Sequence, residues 1–222
     1  MQVSAVMRVE APRTRARKEG EVDRVYRLVK AWILQGQARP GEFLAEVALA
    51  RLCKTSRTPV REACNRLAQE NWITHIRHKG YLVPPISVRE IVDVYEFRKL
   101  LETFAAEKAA ATATPERLTR LRRLQELEAK PHVSLKDLLA ANSQFHLGIA
   151  EIAGNQRILD QLRLTLEYVD RLDILSIEKD TTFVGHEEIV AALESRDPRA
   201  ARRAVARHID YSRDRMLKLF GT

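Results

Sequence analysis

Three histidines in the second half of the chain, His146, His186 and His208, fall on three separate stretches of helical periodicity. Neutral imidazole nitrogens suit Zn, Ni, Cu or Fe, and helices of a bundle can bring ligands together from distant points in sequence. Asn142 precedes His146 by four residues, so both side chains share one helix face, and its carbonyl oxygen is a candidate fourth, weak ligand. No compact ligand motif joins these residues, so each histidine read singly also fits a hydrogen-bonded core or surface position. Arg98 offers a planar guanidinium fork that matches a carboxylate. An ion pair with Glu102, one helical turn on, is the competing reading.

A second set of residues points to a different chemistry. Residues 55–66 read Thr-Ser-Arg-Thr-Pro-Val-Arg-Glu-Ala-Cys-Asn-Arg. Thr58 is placed to cap a helix whose first residue is Pro59, where a missing N–H does no harm. Val60, Ala63, Cys64, Leu67 and Ala68 recur at helical spacing and form an inward stripe. Thr58, Arg61 and Asn65 fall on the opposite face, with Ser56 and Arg57 just before it. Guanidinium and hydroxyl groups at the exposed start of a short packed helix suit a DNA groove. The alternative is an amphipathic helix with a solvated basic face.

Charge distribution separates these readings. Residues 1–86 hold 16 Lys and Arg against 8 Asp and Glu, whereas residues 87–222 hold 22 of each. The formal charge of +8 therefore belongs to the N-terminal part. A basic module joined to a neutral one implies a polyanion partner for the first, bound partly through counterion release. No apolar run approaches the ~20 residues of a membrane span, and the N-terminus lacks a signal-peptide core. The two cysteines, Cys53 and Cys64, sit on inward positions and are expected as buried free thiols. A cytoplasmic protein is expected.

The elements that must position these groups follow from periodicity and punctuation. Residues 1–20 form a basic arm of low apolar content, expected to be disordered. A first helix runs from about Glu21 to Gln35 and stops at Gly36, and a second covers about Glu46 to Cys53. The helix above follows, ending near Glu70-Asn71. Residues 72–76 and 81–83 read as two strands around the turn Arg77-His78-Lys79-Gly80, whose Lys79-Gly80 tip could enter a minor groove. Three helices and a β-hairpin over residues 21–84 make a winged helix-turn-helix. Residues 87–220 show only helical signals. A long helix capped by Ser87 places Ile91, Val94, Tyr95, Leu100, Leu101, Phe104 and Ala105 on its apolar side, and an all-α bundle of six or seven helices follows.

Several of these residues resemble a known family. Gly36, Pro40-Gly41, Leu49-Ala50, Ser56 to Ala63, Arg66-Leu67, Glu70 and Lys79-Gly80 resemble the DNA-binding domain of GntR-family bacterial transcription regulators. Arg98-x-x-x-Glu102, Asn142-x-x-Phe145-His146, Gly154-Asn155, His186-x-x-Ile189 and Asp197 with His208 resemble the helical effector domain, FCD, of the FadR-like branch. The resemblance implies base or phosphate contacts by Arg57, Thr58 and Arg61, and a wing glycine, Gly80, at the minor groove. In the second domain it implies a divalent metal, zinc or nickel, held by one Asp and three His. Here the Asp position is Asn142. The chain also carries Lys54 where the family usually has glycine before the recognition helix, and Val47 where some members carry Arg. A homodimer on palindromic operator DNA, controlled by a small carboxylate near Arg98 and acting mainly in repression, is the implied function. The rivals are a metal-dependent enzyme using the three histidines, with Glu187 as base, and a DNA-binding protein without an effector.

Overall fold

The computed structural model describes residues 20–128, 130, 132–176 and 185–221, so all of the expected basic arm except Gly20 lies outside the described residues. The chain divides into two compact units, residues 1–30 with 43–82, and residues 31–42 with 83–222.

The first unit contains the start of α1 (Glu21–Leu34), then β1 (Phe43–Leu44), α2 (Glu46–Leu52), α3 (Arg57–Gln69), β2 (Thr74–Ile76) and β3 (Gly80–Leu82). Val25 and Val29 of α1, Leu49 of α2, and Val60, Ala63, Cys64 and Leu67 of α3 are buried together with Ile73 and Tyr81. These are the positions that helical spacing predicts. Arg66 holds Asp23 at 2.7 Å and Tyr26 donates to Glu70 at 2.6 Å, which ties α1 to α3. Cys53 and Cys64 are both buried free thiols.

Three details differ from the sequence reading. The hairpin is part of a three-stranded antiparallel sheet in the order β1-β3-β2, with Phe43 opposite Leu82 and His75 opposite Tyr81. Two residues are too few to show strand alternation, which is why β1 was not expected. The β2 strand starts only at Thr74, because Trp72 and Ile73 instead turn inward and are buried. Helix α3 begins at Arg57, with Ser56 as its extended cap residue, so Thr58 is the second helical residue and not the cap. Pro59 then falls third, still within the turn whose N–H groups have no helical acceptor. Lys54 adopts φ 52°, the left-handed conformation that glycine takes without a Cβ penalty.

The second unit holds a bundle of six helices. They are α4 (Val88–Thr112), α5 (Pro115–Glu128), α6 (Leu135–Ala153), α7 (Gln156–Ser176), α8 (Glu187–Glu194) and α9 (Pro198–Phe220). Their ends are set locally. Ser87 accepts from the Glu90 N–H, Ser134 from the Asp137 N–H, and Asp197 from the N–H groups of Arg199 and Ala200. Gly154 closes α6 at φ 70°. Helix α4 packs against α6, α7, α8 and α9, and buries Ile91, Tyr95, Ala105, Ala106, Ala109 and Ala110. Leu100 and Phe104, expected on the apolar side, are instead 68% and 41% exposed. The neighbours of α4 cover the sides of the helix that carry small alanines and leave this one open. Among the described residues no helix is long and apolar enough to cross a membrane.

Candidate functional site

On the first unit, Ser56, Arg57, Thr58, Arg61 and Asn65 are all exposed along the open face of α3. Their guanidinium groups are not free in solution. Glu46 at the start of α2 accepts from Arg57 at 3.0 Å and from Arg61 at 2.9 and 3.0 Å. Hydrogen bonds from Arg61, together with Arg57, overcome the effect of burial and hold the Glu46 carboxyl down at about 2. Asn65 accepts from the Tyr81 hydroxyl at 3.3 Å, which anchors it toward the wing. At the wing tip, Lys79 lies over the Phe43 ring at 5.7 Å. Gly80 has φ 99°, and a Cβ there would meet the Leu44 carbonyl oxygen at 2.6 Å. Only glycine allows β1 and β3 to approach so closely at this point. Sequence gave no sign of a role for Glu46, which was read only as the start of the second helix.

The second unit builds a buried polar centre from five helices. Helix α4 supplies Arg98 and Glu102, α6 supplies Asn142 and His146, α9 supplies His208, and α5 ends on Glu128. His186 is the cap residue of α8 and lies just outside the helix. The candidate ligand nitrogens of His146, His186 and His208 all lie within 4.8 Å of one another, and all three residues are buried. The Phe145 ring stacks on His186 at 4.2 Å and walls the cluster. Asn142 is half-buried and lines an adjoining cavity with Arg98 and His208.

Hydrogen bonds fix the ring orientations. Glu102 accepts from Arg98 Nε at 2.6 Å and from His146 Nδ1 at 2.5 Å. The Nε2 of His146 then faces inward, 2.7 Å from Arg98 Nη2 and 3.1 Å from His186 Nε2. Glu128 meets His186 Nδ1 at 2.7 Å. Arg98 and Glu102 are each 2% exposed, so this is a buried ion pair and not the surface pair that i,i+4 spacing alone would imply. Burial pushes Glu102 up, but Arg98 and His146 beside it bring its carboxyl down to about 2. Burial lowers His146 to about 4, His186 to about 3, and His208 well below the ordinary imidazole value. Three neutral imidazoles follow at pH 7. Burial pushes Glu128 up to about 8, so at pH 7 it keeps its proton and donates it to His186 Nδ1. The single lone pair of His146 Nε2 accepts from Arg98 Nη2, and His186 Nε2–H lies beside it at 3.1 Å.

The residues present fit a divalent transition ion. His208 Nδ1 and Glu128 Oε1 are buried without a hydrogen-bond partner. Carboxylates on the far nitrogens of His146 and His186 are the outer contacts that orient metal-binding imidazoles. The adjoining cavity, about 20 Å³, is lined by Tyr95, Arg98, Asn142, Asp173, His208, Ser212 and Arg215. That volume admits about one water-sized group. Arg215 holds Asp173 at 2.9 Å on the cavity wall. Sequence reasoning missed Glu128, Asp173 and Arg215. Glu128 lies in an acidic stretch that reads as a solvated helix end, and the other two are single charges on amphipathic helices.

A winged helix with exposed arginines along α3, joined in one chain to a helical bundle with a buried polar centre, defines a class: DNA-binding regulators that carry a sensory unit. Sequence comparison makes the family specific. Residues 21–83 match the bacterial regulatory proteins of the gntR family, and residues 93–211 match the FCD domain. The chain belongs to the GntR family of bacterial transcriptional regulators, in the group with an FCD domain. It is 34% identical over 132 residues to the Nta operon transcriptional regulator of Aminobacter aminovorans, covering 59% of this chain and 63% of that one, less than two thirds of that regulator's length. It is 29% identical over 192 residues to the HTH-type transcriptional repressor RspR of Escherichia coli (strain K12), covering 83% and 84%. The solved structure of E. coli McbR/YncC shares the fold with a TM-score of 0.72 at 21% identity, over 90% of this chain and 98% of that one.

Proposed function

We propose that this regulator is a homodimeric repressor whose hold on operator DNA is governed by a small carboxylate bound beside a histidine-held metal ion. His146, His186 and His208 would hold zinc or nickel, with Asn142 as a neutral fourth oxygen. A bound divalent ion supplies positive charge and open positions for an anionic oxygen. The chain's own residues do the rest. Glu102 and Glu128 orient two imidazoles, Phe145 shields the cluster, and Arg98 turns its guanidinium toward an entering carboxylate. Asn142 lacks the negative charge of the family's aspartate, so the anionic ligand itself completes the neutralisation. The single observation that carries this reading is the clustering of three buried imidazoles, one with an orphaned nitrogen and another bonded to the Arg98 guanidinium.

On the DNA side, Ser56, Arg57, Thr58, Arg61 and Asn65 would enter the major groove, and Lys79 and Gly80 would approach the minor groove. Arg57 and Arg61 exchange Glu46 for phosphate or base-edge acceptors on binding. The carboxylate shifts operator affinity only as far as it binds two arrangements of the dimer unequally. RspR, the similar regulator of E. coli, is a transcriptional repressor, which supports repression as the mode. The reading is tested by thermal unfolding with a set of mono- and dicarboxylates, with zinc and with chelator. A carboxylate that raises the midpoint only with zinc supports it, by mass action. Stabilisation that chelator leaves unchanged would refute the metal part.

A further inference from the structure

Helix α4 carries an apolar seam that the bundle does not use. Phe97, Leu100 and Phe104 are 42%, 68% and 41% exposed, and their spacing puts them on one outward line. Asp93 continues that line toward the N-terminus and Lys108 toward the C-terminus, both exposed. Asp93 pairs with Arg89 at 3.0 Å, and Lys108 lies over the Phe104 ring at 5.6 Å. The seam therefore runs from an acid, through three large apolar groups, to a base.

We infer that this seam is the twofold interface between two copies of the chain, with α4 packed antiparallel on α4 of its partner. A twofold axis across a helix makes its two copies antiparallel, and each residue then faces the one placed symmetrically about the crossing point. The midpoint of Phe97 and Phe104 lies between Leu100 and Leu101, and the midpoint of Asp93 and Lys108 lies at the same place. One axis therefore stacks each Phe97 on the partner's Phe104, brings the two Leu100 side chains to either side of the crossing point, and joins each Asp93 to the partner's Lys108 at both ends. Apolar contact and charge complementarity agree on a single register, which a partner of unrelated sequence gives no reason to expect. A stable interface needs roughly 800 Å² from each partner, more than one seam provides. Tyr211, 56% exposed on α9 and beside α4 through the Lys99–Asp210 bridge at 2.6 Å, widens the patch. The inference rests on the dimeric reading above and names its surface.

Analytical ultracentrifugation and cysteine cross-linking on the full chain test it. Wild type sediments as a dimer, and Leu100→Asp raises the dimer dissociation constant by about a hundredfold or more while far-UV circular dichroism is unchanged. Asp93→Lys and Lys108→Asp each weaken the dimer, and the two together restore it. Leu100→Cys forms an intermolecular disulfide under mild oxidation, because the two copies meet at the axis. Leu164→Cys, on α7 and 54% exposed, does not. A dimer that Leu100→Cys fails to cross-link, or that Leu100→Asp leaves intact, overturns the surface and leaves the dimeric reading standing. A monomeric wild type overturns both.

Discussion

Replacing Arg98 by Met tests the buried centre where its energetics are sharpest. The guanidinium is 2% exposed and bonded to Glu102 at 2.6 Å and to His146 at 2.7 Å. Removing one partner of a buried ion pair strands the other charge, at about 3–5 kcal/mol. In a unit of this size that lowers Tm by roughly 10 °C. The loss depends on pH in a defined direction. Without Arg98 the imidazole of His146 rises toward its ordinary value beside the stranded Glu102 carboxylate. In the wild type an imidazole held below its unfolded value costs stability as pH falls through that value, and the cost shrinks once Arg98 is gone, so Arg98→Met is hurt less at pH 6 than at pH 8. Arg98→Met with Glu102→Gln removes both charges and regains most of the loss. Urea unfolding followed by circular dichroism, with chelator present, measures each variant. Zinc competition provides a second readout. A positive group 2.7 Å from His146 Nε2 opposes a cation, so its removal tightens zinc binding by about tenfold or more, ~1.4 kcal/mol. If Arg98→Met lies within about 0.5 kcal/mol of wild type, the size expected of an ordinary surface change, and binds zinc no better, the guanidinium does not hold this centre together.

Other consequences are direct. Asn142→Asp adds a negative oxygen beside the cluster and tightens zinc binding by about tenfold or more in competition titrations; equal affinity refutes a role for Asn142 at the site. Glu128 holds its proton up to about pH 8 through burial, and zinc binding requires that proton to leave. Zinc affinity therefore rises by up to about tenfold per pH unit from 6 to 8, and Glu128→Gln flattens this slope. Arg61→Ala weakens operator binding by ~1–3 kcal/mol if the contact is to a base, and otherwise lowers the salt slope by about 1 in fluorescence anisotropy. Gly80→Ala forces a side chain into φ 99° against the Leu44 carbonyl and destabilises the first unit by ~1–3 kcal/mol in the same urea assay.

Much of this was legible because periodicity and punctuation act locally. Ser87, Ser134, Asp197 and Gly154 mark their helix ends in sequence because the bonds that close those ends are made within a few residues. The three histidines could be named but not joined, since their convergence depends on how α6, α8 and α9 pack. Glu128 and Glu46 were invisible for a related reason. Each matters through a partner 58 or 15 residues away, and nothing in their own neighbourhood distinguishes them from solvated acids. Leu100 and Phe104 were misread because spacing tells which residues share a face, and not whether the bundle covers that face. Asn142 was legible from its four-residue spacing to His146, and family resemblance added only that an aspartate is expected there.

The central claim is that a carboxylate at Arg98 and the histidine cluster controls the grip of the α3 face on DNA. It is tested most directly by the dissociation constant for the DNA just upstream of the chain's own coding sequence, measured by anisotropy with zinc and a panel of mono- and dicarboxylates. The account predicts that at least one carboxylate shifts this constant about fivefold or more for wild type and leaves it unchanged for Arg98→Met. A carboxylate that shifts both proteins equally, or a panel that shifts neither, would contradict it.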